Sequence, residues 1–128
     1  QPAFNTDQWA PGSIPNNVQS VISSTSYLNR GNHYNNAGTF TAPVAGVYHF
    51  FMQVTPSSST SGPHIFFSVN SSGATYGSSL GYNASYNSTS SAVVLYLNAN
   101  DTVRAIVEDW NSSNVTLWKA SWGGYLVG

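Results

Sequence analysis

The sequence predicts an all-β fold, an antiparallel sandwich of the jelly-roll type with about ten strands. Three observations carry that expectation. Hydrophobic residues recur at period two, not 3.6, along almost the whole chain. β-Branched and aromatic residues fill those stretches, and aromatics make up 14% of the sequence. Clusters of Gly, Pro, Ser and Asn punctuate them at short intervals, as turns between short strands require.

In order, the expected strands are Ala3–Trp9, Val18–Ser23, a short Ser26–Leu28, Gly38–Ala42, Gly46–Thr55, His64–Asn70, Thr75–Leu80, Ala92–Asn98, Thr102–Trp110 and Val115–Val127. Each is bounded by turn chemistry. Ser57–Pro63 is a Ser/Gly/Pro loop, Ser71–Gly73 a tight turn, Tyr82–Ser91 a polar loop, and Asn98–Asp101 and Asn111–Asn114 are turns.

Length and composition narrow the function. A chain of 128 residues is one domain, spanning 1–128. Only 5% of the residues are charged and the net charge is −1, so Ser, Thr, Asn and Gln must keep the surface wet. Three fixed cations, Arg30, Arg104 and Lys119, make no basic stripe, which argues against nucleic acid as partner. No stretch approaches the ~20 apolar residues of a membrane helix, so no membrane insertion is expected. With no cysteine, disulfides and thiolate metal sites are excluded. Asn-x-Ser/Thr triplets at Asn70, Asn83, Asn87, Asn100, Asn111 and Asn114 point to a secreted glycoprotein. Any signal peptide is expected to have been removed before Gln1.

Three strands are apolar on both faces, whereas a sheet with one wet face should alternate. Tyr48, Phe50 and Met52 oppose Val47, His49 and Phe51; Val93, Leu95 and Leu97 oppose Val94 and Tyr96; Trp122, Gly124 and Leu126 oppose Tyr125 and Val127. One set fills the core, and the other needs a cover. In a chain without helices the expected cover is another copy of the same subunit. Val47, His49, Phe51, Val94, Tyr96 and Tyr125 are therefore the expected interface residues.

The segments AFNTDQWA, NRGNHYNNAGTFTAPVAGVYHFF, SAVVLYLNANDTV and SWGGYLVG together resemble the globular domain of the complement C1q family. The middle segment is the specific part, with Asn29, Tyr34, Phe40, Gly46, Tyr48 and Phe50 at the family's spacing. Departures are Ser23 and Met52, where an aromatic is usual, Ala42, where many members have Cys, and one residue fewer between Tyr34 and Phe40. The FTAPVAGVY form is similar to versions found in bivalve molluscs, and the chain contains no Gly-X-Y collagen repeat. The resemblance implies the jelly roll shared with tumour necrosis factor, a homotrimer, and a secreted recognition protein.

Catalytic chemistry is not expected. Gly77-Ser78-Ser79-Leu80-Gly81 fits the G-x-S-x-G elbow, but that motif needs a strand-to-helix turn and a His after the serine, and the last His here is His64. His33, His49 and His64 lack metal-ligand spacing. Glu108 and Asp109 are the candidate ligands if calcium is a cofactor, against simple solvation or pairing with Arg104 or Lys119. As neighbours on a strand they point to opposite faces and cannot form a glycosidase pair.

Strand alternation locates a binding end. Loops Ser57–Pro63, Gly81–Ser91 and Trp110–Asn114 fall together, with Ser71–Gly73 and Asn98–Asp101 opposite. The first end gathers Tyr82, Asn83, Tyr86, Asn87, Asp109, Trp110 and Asn111, with His64 beside it. Aromatic faces flanked by neutral hydrogen-bonding groups suit sugar rings; the other view of Tyr82 and Trp110 is that they pin their loops to the rim. In the C1q-like family this end is the apex. The expected function is a lectin for carbohydrate on microbial or cell surfaces, in innate immunity. The alternative is a non-lectin ligand or structural extracellular protein whose partners are proteins.

Overall fold

A computed structural model describes residues 1–14, 19–22, 26–59, 62–81, 87–109 and 115–128. Among them are eleven strands and no helix. The strands are β1 (Ala3–Ile14), β2 (Gln19–Val21), β3 (Ser26–Arg30), β4 (Tyr34–Asn35), β5 (Thr39–Thr41), β6 (Gly46–Ser59), β7 (Pro63–Val69), β8 (Tyr76–Leu80), β9 (Thr89–Leu97), β10 (Thr102–Asp109) and β11 (Val115–Leu126).

They form two antiparallel sheets. One has the order β3-β1-β11-β6-β9, which puts the first and last strands side by side; the other runs β4-β5-β10-β7-β8, with β2 also paired to β10. Two strands run past their expected ends for a physical reason. β1 continues past Trp9 and β6 past Thr55, although prolines follow at Pro11 and Pro56. Proline lacks the ladder N–H and is tolerated at bulges, and the register of β11 shifts against both neighbours around Trp118. One distortion thus accommodates a proline on each flanking strand. The short β4 was not expected; it pairs Tyr34 with Phe40.

Alternation decides the core. Tyr48, Phe50, Met52 and Val54 of β6 point inward with Phe4, Phe40, Ile65, Phe67, Val103, Ala105 and Trp122. The rings interlock: Phe4 stacks on Tyr34 at 4.8 Å and on Phe40 at 5.0 Å, and meets Trp122 edge-on at 4.8 Å. Gly124 makes this packing possible, since a Cβ there would run into the Phe50 ring.

Candidate functional site

The pairing registers fix where the connecting segments lie. Pro63 pairs with Asp109, His64 with Leu80, Val54 with Thr89 and Ser59 with Val115. The strand ends that lead into 60–62, 81–88 and 110–114 are therefore gathered at one end of the sandwich. Ala3 pairs with Tyr125 and Gly46 with Leu97, so both termini and the Asn98–Asp101 turn lie at the other end. Tyr82, Asn83, Tyr86, Trp110 and Asn111 lie outside the described residues, as does the side chain of Asp109.

His64 is described and largely buried, only 8% exposed. Its Nδ1 lies 2.6 Å from Glu108 Oε1 and its Nε2 lies 2.5 Å from Ser78 Oγ. Glu108 thus pairs with His64, not with Arg104 or Lys119. Arg104 Nε donates to Thr39 Oγ1 at 3.1 Å, and Lys119 stands 3.5 Å from Asp7 on the other sheet.

The outward face of the β3-β1-β11-β6-β9 sheet brings the six expected interface residues together. Val47 pairs with Tyr96 and His49 with Val94, and His49 meets the Tyr125 ring edge-on at 5.3 Å. Tyr96 is 66% and Val94 62% exposed, with Tyr125 and Val127 also exposed beside them. His49 Nδ1 is buried in this face without a hydrogen-bond partner. The face is graded. Its half near the termini is apolar, while toward the loop end it opens into a cavity of about 620 Å³ lined by Asp7, Tyr27, Phe51, Gln53, Ser90 and Lys119 among others.

Two strand-paired sheets with adjacent termini and this doubly apolar face are matched by family-level evidence: the C1q domain model covers residues 3–127. The chain belongs to the C1q domain family. Solved structures agree on the fold. The globular domain of zebrafish complement 1qA superposes with a TM-score of 0.77 at 18% identity, over 100% of this chain and 98% of that one. The vertex protein P5 of PRD1 gives 0.74 at 14% identity, over 99% and 97%. Murine APRIL gives 0.69 at 16% identity, over 97% and 99%. Among curated proteins no relative is found.

In this C1q domain, three of the sequon asparagines, Asn70, Asn87 and Asn100, are exposed; Asn83, Asn111 and Asn114 lie outside the described residues. The Asn70 amide is already in use. Its Nδ2 donates to Asp101 Oδ1 at 3.0 Å and its Oδ1 accepts from the Thr102 N–H at 2.8 Å, tying two turns together near the termini. Asp101 also accepts from the Asn98 N–H at 2.8 Å. The Asn70 amide, followed by the Asn98 N–H, holds the Asp101 carboxyl below its usual range. Among the described residues no three His, Cys, Asp or Glu side chains converge on a metal position. Sequence reasoning missed the Ser78–His64–Glu108 line, because alternation shows which face a residue takes but not the register between strands.

Proposed function

We propose that this C1q domain is an extracellular recognition module that assembles as a homotrimer and binds carbohydrate through its loop end. The observation that carries the reading is the gathering of the strand ends at Ser59, Pro63, Leu80, Thr89, Asp109 and Val115 opposite the termini. The residues connected there include Tyr82, Asn83, Tyr86, Asp109, Trp110 and Asn111, whose chemistry suits sugar: flat apolar faces beside neutral or acidic hydrogen-bonding groups. The exposed apolar sheet face supports assembly. Three copies bring three weak sites to one side, and linked sites gain ~10² or more in avidity without new contacts. The sequon density supports secretion.

A glycan array probed with the parent and with Trp110→Ala, each with and without chelator, tests this. Specific binding that Trp110→Ala weakens, while the assembly and its melting temperature stay unchanged, is the expected result. Loss of one stacking face should cost about 1 kcal/mol per site, multiplied across the trimer. Sensitivity to chelator would assign calcium to the ligand site. An array that stays blank, with binding to protein surfaces instead, contradicts the lectin reading. A Trp110→Ala protein that binds normally but melts early makes Trp110 a structural pin.

A further inference from the structure

We propose that Ser78, His64 and Glu108 form a nucleophilic relay, in which the imidazole activates the Ser78 hydroxyl toward activated carboxylic esters. The three side chains come from three adjacent strands of one sheet and share its outward face: Glu108 of β10 pairs directly with His64 of β7, and Ser78 of β8 lies diagonal to it. Serine–histidine–carboxylate sites are defined by this geometry, not by chain order. The carboxylate can only accept, so Nδ1 carries the hydrogen toward Glu108 Oε1 across 2.6 Å, which leaves Nε2 as the acceptor for the Ser78 O–H at 2.5 Å.

The roles match the surroundings. His64 is buried and its ring lies against Phe66 at 5.1 Å, so its orientation is set, while Ser78 is exposed. A β-bulge lies opposite Phe66, with Gly77 at φ +62°, and bulges re-aim the side chains beside them. The elbow motif is a coincidence of composition: its own serine would be Ser79, which pairs with Ile65 and takes the opposite face of the strand. Exposed Leu80 lies two residues from Ser78 on the same face, a small apolar surface for an acyl group, while Tyr76, beyond the bulge, pairs with Phe67 and takes the other face. On an open sheet face the substrate must bring its own good leaving group.

In the acylation step the Ser78 Oγ–carbonyl carbon bond forms as the Oγ proton passes to His64 Nε2. The ester C–O bond breaks, and the leaving oxygen takes that proton. Water then attacks the acyl-serine, gives a proton to Nε2 and releases the carboxylic acid as Ser78 Oγ is reprotonated. The net change is hydrolysis of one ester by one water, with no cofactor.

Two measurements test this. Incubation of the full chain with a fluorophosphonate probe, read by intact mass and peptide mapping, should give one phosphonyl adduct on Ser78. The adduct should be absent in Ser78→Ala, unchanged in Ser79→Ala, and formed about tenfold or more slowly in Glu108→Gln and His64→Gln. Because the chain has no cysteine, Ser78→Cys supplies a second reading that keeps His64 in place. Its alkylation by iodoacetamide should run about tenfold faster than that of Ser72→Cys in the exposed turn. No adduct on Ser78, or equal alkylation rates for the two cysteines, overturns the proposal.

Discussion

Asn29 shows what a single residue of the family signature does. Its Nδ2 donates to the Tyr34 carbonyl at 2.7 Å and its Oδ1 accepts from the Tyr34 N–H at 3.1 Å, so one amide side chain serves both backbone groups of a buried residue. That is why spacing between Asn29 and Tyr34 is legible in the sequence. Asn29→Ala should cost about 2 kcal/mol in chemical denaturation, because it strands those groups. Asn29→Asp should be no better, since a carboxylate cannot donate to the carbonyl. Tyr48 is a milder case: its hydroxyl donates to the Val44 carbonyl at 2.8 Å, and burial raises its pKa against that bond. Asp101 carries a pH signature. Its folded-state pKa is lowered, so its contribution is fully present above the unfolded carboxylate range and is lost as pH falls through the folded value. Melting curves across the acid range should show the parent losing this increment while Asp101→Asn, flat in that term, does not.

The strands best read from the sequence are those in which alternation and packing agree. Tyr48, Phe50 and Met52 announce one face of β6, and all three are buried. Boundaries at Pro11 and Pro56 were not legible, because the bulge at Trp118 that tolerates both prolines is a property of β11 and its two neighbours together. The Ser78–His64–Glu108 contact was hidden for the same reason: it depends on a register between β7, β8 and β10 that local pattern leaves open. Of the expected loop-end site, topology was legible from strand alternation, whereas its side chains belong to segments that no periodicity constrains. β11 offers a clean test of element packing. Gly124→Ala should destabilise by about 1–3 kcal/mol, since its Cβ meets the buried Phe50 ring, and a denaturant midpoint shift with an unchanged slope would register it.

At the scale of the whole molecule, the apolar outward face of the β3-β1-β11-β6-β9 sheet is the feature a lone subunit does not explain. Val94, Tyr96, Tyr125 and Val127 are exposed in it around the partly buried His49, and a contiguous apolar patch of that kind marks an interaction surface. Phe51 lies beside His49 on this face, its ring 5.9 Å away, paired with Gly123 and Ala92. Phe51→Asp should dissociate the assembly by placing an unpaired carboxylate in the contact, at a cost of several kcal/mol. Sedimentation velocity at micromolar concentration tests the central claim most directly. Three copies of a 13.7 kDa chain should sediment as one species of about 41 kDa, and Phe51→Asp should shift it to monomer. A parent chain that remains a stable 13.7 kDa monomer under those conditions, with this face in water, would contradict it.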